Sequence, residues 1–174
     1  PNVEVRALDV LADELPAGSF DLVYARLLVE HVGVNALKRI VAAVRPAGLL
    51  VVEDYDCGVL FGHPPSDAEE RINRGIIEVM SGAGWDPYLG RKLAAELIAA
   101  GLTDVQAEGR ACIVRGGSPD VDFARLTLLA LRARMVDADL VGEAECDATL
   151  ARYDDPCWFR VGPLMVAAWG HAPA

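Results

Sequence analysis

Two kinds of hydrophobic spacing run along this chain, and the switches between them mark its elements. Residues 3–10 (Val-Glu-Val-Arg-Ala-Leu-Asp-Val) begin by alternating apolar and polar side chains, which predicts a strand ending at Asp9. Asp13, Pro16, Gly18 and Ser19 then supply turn chemistry over 11–19. Phe-Asp-Leu-Val-Tyr-Ala, residues 20–25, predicts a second, mostly buried strand. The period changes next. Leu37, Ile40, Val41 and Val44 fall at i, i+3, i+4 and i+7, a helical stripe with Asn35 as its N-cap and Pro46 as its stop. Gly48 leads into the apolar run 49–52, of the kind found in strands covered on both faces of a parallel sheet.

The second half reads less regularly. Gly58, Gly62, Pro64 and Pro65 mark a loop, after which Ser66 or Asp67 caps a helix to about Met80. Gly82, Gly84 and Pro87 break it. Leu93, Leu97 and Ile98 place a helix over 91–100, and Gly101 suits the left-handed residue past its end. Val105, Ala107, Ala111 and Ile113 alternate as a strand does, to about Arg115. Ser118 and Pro119 fit the N-cap and first position of a helix carrying Phe123, Leu126, Leu129, Leu131 and Val136. A last strand is expected within 159–169, starting after Pro163 because proline cannot donate in a ladder. Strands separated by helices predict an α/β fold around a mostly parallel sheet.

Composition narrows the function. The 174 residues are enough for one domain with a sizeable core. The 26 acids exceed the 16 bases, for a net charge of −10, and that field repels phosphate. Nucleic acid is therefore not an expected partner. The apolar runs fall far short of the ~20 residues a spanning helix needs, and no leader pattern is seen, so neither membrane nor secretion is expected. Cys57, Cys112, Cys146 and Cys157 form no C-x-x-C pair, which argues against zinc and for reduced thiols in a cytoplasmic protein. Over 137–155 seven acids face one base, Arg152, the composition of a solvated face.

In open α/β sheets ligands bind beyond the carboxyl ends of the strands. Those ends here are Asp9-Val10, Ala25-Arg26 and Glu53-Asp54-Tyr55-Asp56. Acids at such ends can accept hydrogen bonds from a ribose or an adenine amine. The stretch "LDVLADELPAGSFDLVYARLLVEHV", followed by "LKRIVAAVRPAGLLVVEDYD", resembles the class I S-adenosylmethionine-dependent methyltransferases. The likeness is close over 3–56, weaker over 85–115 and diffuse over 119–172, where "FRVGPLMVAAWG" is similar to the family's last strand.

The resemblance implies a Rossmann-like, mostly parallel sheet with flanking helices and an antiparallel last strand. It implies S-adenosylmethionine as cofactor and a small-molecule methyl acceptor. Asp9 would accept from the adenine amine, the Val10 backbone would approach the ring, and Ala25, Arg26 and Leu27 would line the cofactor cleft. His31 would lie near the methionine end or the acceptor, and it is the candidate general base. Tyr55, His63, Tyr88 and Trp158 are candidate acceptor contacts. Residues 56–89 and 117–158 form a candidate lid, with Phe123, Leu126, Met135 and Phe159 as further lining residues.

Several departures matter. The family's Pro-Gly-Gly is Pro46-Ala47-Gly48 here. The first acid of its metal-binding Glu-x-x-Glu-His is replaced by Leu27, so no catalytic metal is expected. The glycine-rich loop and the ribose-gripping acid have no counterpart, and Gly82-Ala83-Gly84 is no substitute. Two apolar strands would then face unpaired backbone. With Pro1 rather than Met at the start, this predicts that 1–174 is a partial domain, the C-terminal two-thirds of a methyltransferase domain. The alternative function is a non-catalytic partner or adapter of the same fold. A nicotinamide-dependent enzyme fits the "FDLVYARLLVEH" segment less well.

Overall fold

The structure, a computed structural model, describes residues 2–174. Its strands are β1 (Phe20–Arg26), β2 (Val44–Asp56), β3 (Phe61–His63), β4 (Thr103–Arg115) and β5 (Phe159–His171). Its helices are α1 (Val29–Val32), α2 (Asn35–Ala43), α3 (Asp67–Ser81), α4 (Leu93–Ala99), α5 (Asp122–Asp137) and α6 (Glu143–Asp154). The class is α/β, with a mixed, mostly parallel sheet, flanking helices and an antiparallel last strand. The chain divides into two compact units. The first runs to Asp54 and adds Leu89–Glu108 and Val166–Ala174; the second comprises Tyr55–Tyr88 and Gly109–Met165.

In the first unit β1 pairs parallel with β2, Leu22 opposite Leu49 and Ala25 opposite Val52. The amide of Ala172, just past β5, donates to Gly48 O at 2.9 Å. Leu37 and Ile40 of α2, Leu50 and Val52 of β2 and Leu93 and Leu97 of α4 form its core. Leu37 and Ile40 of the predicted stripe are thus buried in α2, Val41 is half-buried, and Val44 falls in β2. The helix starts one residue early, however, with Val34 as N-cap, and ends at Ala43, so Pro46 lies inside β2.

Two expected strands differ. Residues 3–10 form no strand, and Val3 and Val5 are exposed. Alternation licenses a strand, but the ladder needs a partner, and β1 pairs only with β2 among the described strands. For the same reason β1 is not mostly buried: Phe20, Leu22 and Tyr24 are exposed and only Ala25 is covered. β2 alternates too, with Leu50 and Val52 buried and Leu49 and Val51 half-buried, so it is fully covered on one face only.

Ala47 takes the left-handed conformation, φ 59°, while its amide donates to Ala172 O at 3.1 Å. That conformation costs an L-residue about 1 kcal/mol that glycine avoids. Ala47→Gly should therefore raise stability by roughly 0.5–1 kcal/mol, with β2 kept intact. Urea denaturation checks this, and a destabilised variant would refute it.

In the second unit β3 pairs antiparallel with β5, Gly62 opposite Arg160. Ser66 Oγ accepts from the Glu69 amide at 3.4 Å, starting α3 where the sequence places it. α3, α5 and α6 pack on one another around Ile72, Leu128, Met135, Cys146, Tyr153 and Trp158. α6 is the element the sequence pattern hides. Its buried face is Cys146, Thr149 and Tyr153, too weakly apolar to stand out among its acids. Those acids are not simply solvated: Arg132 pairs with Glu143 and with Asp147 (2.7 Å), Arg71 with Glu145 and Arg125 with Asp154 (2.6 Å). On α5 the core-facing residues are Leu128 and Met135, whereas Phe123, Leu126 and Leu129 are exposed. β5 begins at Phe159 and carries Pro163 within it, not before it.

Candidate functional site

The site lies in the first unit, in an open cleft of about 520 Å³. Asp9, Val10, Tyr24, Ala25, Leu28 and Val32 are among its lining residues. The Asp9–Asp13 segment is built by its own short polar side chains. Asp9 Oδ1 accepts from the Leu11 amide at 2.8 Å, and Asp13 Oδ2 accepts from the Asp9 amide at 2.7 Å. The Asp13 amide closes the turn on Asp9 O at 2.8 Å. Such a turn satisfies the backbone without a strand partner. It leaves Asp9 Oδ2, on an exposed residue, available to accept. Arg39 of α2 clamps the turn, its Nε donating to Val10 O at 2.8 Å and its Nη2 to Asp13 O. Nothing in the pattern marks Arg39, since an arginine on the polar side of a helix is commonplace in a sequence.

β1 brings Ala25 into the cleft and ends at Arg26, which faces Glu53 of β2 at 3.6 Å. Tyr24 Oη donates to the same Glu53 carboxylate, and that hydrogen bond lifts the phenol above its usual range. The Tyr24–Glu53 pair is visible only once β1 and β2 lie in register. Leu27 adopts φ 50°, with its amide donating to Glu53 O at 2.8 Å. A bulky residue held left-handed is strain at the point where the chain leaves β1 for α1. Arg26 and Leu27 thus adjoin the cleft without lining it.

α1 contributes the Glu30-His31 pair. Glu30 is buried, and its Oε1 lies 3.4 Å from Nε2 of the half-exposed His31. Beside them Asp54 is fully buried, and its oxygens make no hydrogen bond of ordinary geometry. Burial first, and the Glu30 charge second, push its carboxyl up to about 7, against the smaller opposing effect of the Glu30, Leu28 and Val29 amides. In sequence Asp54 is one acid among several at a strand end; its burial is a tertiary fact.

The remaining candidates lie in the second unit. Tyr55 packs against Phe123, ring centroids 6.2 Å apart. His63 and Tyr88 are exposed. Trp158, expected as an acceptor contact, is fully buried, and so is Met135. Trp158 stacks on Tyr153 at 5.0 Å and donates its indole N–H to Glu69 at 2.9 Å. Both are core residues: large apolar side chains pack more cheaply inside than against solvent. Among the described residues no group of three His, Cys, Asp or Glu side chains is placed to hold a metal ion. Among the described residues no helix is long and apolar enough to cross a membrane.

No family model matches the chain. Methyltransferase str2 of Strobilurus tenacellus is 33% identical over 106 residues, which is 58% of this chain and 38% of that protein. The chain thus matches well under half the length of that curated relative. The YcgJ protein of Bacillus subtilis superposes with a TM-score of 0.56 at 16% identity, covering 100% of this chain and 73% of that one. A candidate methyltransferase of Bacillus halodurans C-125 superposes at 0.55 with 12% identity, covering 95% and 70%. These two structures speak to fold, and the Strobilurus relative to sequence kinship. The chain is thus similar in sequence to a methyltransferase over part of its length, and it shares the fold of these two structures.

Proposed function

We propose that this protein transfers a methyl group from S-adenosylmethionine to a small molecule, without a catalytic metal. The observation that carries the reading is the cleft in which an unengaged Asp9 oxygen stands beside Val10 and Ala25 over an apolar wall. A flat aromatic base with an exocyclic amine is the ligand such a wall and acceptor suit. When bound, S-adenosylmethionine supplies an activated methyl group on a sulfonium centre. The chain's own residues bind and orient. Asp9 accepts from the adenine amine, Val10 and Leu28 cover apolar surface, and Arg39 keeps the Asp9 turn in place before binding. Positioning of this kind accounts for up to ~7–11 kcal/mol of a displacement barrier. His31 takes the proton when the acceptor is a hydroxyl, with buried Glu30 stabilising the imidazolium. Leu27 where the metal-binding pattern has an acid supports metal independence. Tyr55, His63 and Tyr88 of the second unit remain the proposed acceptor contacts, and 56–89 with 117–158 the proposed lid. Four free thiols and a net charge of −10 support a cytoplasmic protein that does not bind nucleic acid.

Calorimetric titration with S-adenosylhomocysteine and with NAD tests the reading. Binding of the first and not the second is expected. Asp9→Ala should weaken S-adenosylhomocysteine about tenfold, the worth of a hydrogen bond to a charged group, with the circular dichroism unchanged. Unchanged affinity would remove Asp9 from the site. No binding of S-adenosylhomocysteine at millimolar concentration would favour the non-catalytic partner instead.

A further inference from the structure

A second cavity, about 370 Å³, lies wholly within the second unit between β3 and the first turns of α3. Leu60, Phe61, Pro65 and Ile77 give it apolar walls, and Glu69, Glu70, Asn73 and Arg74 supply polar groups. Glu69 is 2% exposed. Its Oε2 accepts from the Trp158 indole at 2.9 Å and lies 3.4 Å from Arg152 Nε. Its Oε1 has no partner. A buried acceptor left empty costs about 1–3 kcal/mol, and a donor brought by a ligand recovers it. Because Trp158 and Arg152 already hold the carboxylate, binding freezes little further side-chain motion.

Two neighbours sharpen the chemistry. Gly62 lies against the Glu69 carboxylate so closely that a Cβ there would collide with it. Asn73 Oδ1 accepts from Arg160 Nη2 at 3.0 Å, so its amide donors are the groups left over. At the rim Glu70 and Arg74 stand one helical turn apart, and among the described residues Arg74 has no ion pair. Arg160, behind Asn73, is engaged by Asn73 and by Tyr153 Oη at 3.3 Å. The pocket therefore brings together a buried acid, Glu69, and a rim arginine, Arg74, beside apolar walls.

We propose that this pocket binds a small amino-acid-like zwitterion, its ammonium on Glu69 Oε1 and its anionic group on Arg74. The site needs nothing from the cofactor cleft, so it stands or falls apart from the methyl-transfer reading.

Amide NMR titration of the protein with γ-aminobutyrate tests it, with propylammonium and butyrate as single-ended probes. Saturable shifts are expected at Gly62, Ser66, Glu69 and Asn73, with roughly millimolar affinity for the zwitterion and weaker binding of either probe. Glu69→Gln keeps an acceptor for Trp158 and should weaken the two ammonium-bearing ligands about tenfold while sparing butyrate. Arg74→Ala, at an exposed position that does not threaten folding, should weaken the zwitterion and butyrate and spare propylammonium. Gly62→Ala should lose ammonium binding without any change of charge. An absence of saturable shifts by about 50 mM, or equal affinities in the wild type, Glu69→Gln and Arg74→Ala, means that Oε1 holds water only and overturns the proposal.

Discussion

Replacing Asp54 by asparagine is expected to flatten the fall in stability that the wild-type protein shows as pH rises from about 4 to 7. The fully buried Asp54 carboxyl titrates near 7, raised by burial and by the Glu30 charge. In the unfolded chain an aspartate titrates at ~3.9. As pH rises the unfolded chain therefore releases this proton first, while the folded protein keeps it. Between these two values the folded state binds more protons, so its stability must decrease with pH. The cost is absent below about pH 4 and complete above about pH 7, where it reaches at most roughly 4 kcal/mol. The carboxamide of the Asp54→Asn variant cannot ionise. It carries a fixed desolvation cost, which shifts the whole curve but not its slope. The measurement is urea denaturation of both proteins from about pH 3 to 8, the range that spans both titrations. The stability of Asp54→Asn relative to wild type should improve between about pH 4 and 7 and stay level outside that window; curves parallel within it would show that Asp54 is ionised in the fold throughout.

The second large effect concerns Trp158. Trp158→Ala should destabilise the protein by about 3–5 kcal/mol, since a fully buried indole leaves a cavity that neighbours only partly fill. The loss is compounded at Glu69, whose Oε1 already lacks a partner and whose Oε2 would lose the Trp158 hydrogen bond. Trp158→Phe separates the two contributions. It keeps an aromatic ring against Tyr153 and removes the N–H, for an expected cost of about 1–3 kcal/mol beyond the lost ring volume. If Trp158→Ala changes the denaturation midpoint no more than an exposed Phe123→Ala does, Trp158 is not the centre of this core.

The same residue illustrates what a sequence can and cannot say. A tryptophan after a Pro-Cys pair reads equally well as core or as acceptor contact, because side-chain type does not report what surrounds it. The α2 stripe was legible because Leu37, Ile40 and Val41 at helical spacing define one face, whatever lies opposite. Ser66 as a cap and Gly101 as a left-handed terminus were legible for a like reason: both act within four residues of themselves. The strand at 3–10 was not, since alternation describes a face and says nothing about a neighbour to pair with. α6 was hidden because its buried face, Cys146, Thr149 and Tyr153, is weakly apolar and its acids find their arginines on other helices, α3 and α5.

By itself the sequence determined the α/β class, most helix limits, the net negative charge and the resemblance carried by 3–56, all of which rest on local spacing or on simple sums. Only the tertiary structure decided that Asp9 and Ala25 share a cleft, that Asp54 and Glu69 are buried with unsatisfied oxygens, and that Arg39 braces the Asp9 turn. Those facts depend on distance and solvent exclusion between residues remote in the chain, and neither quantity exists until the backbone has folded.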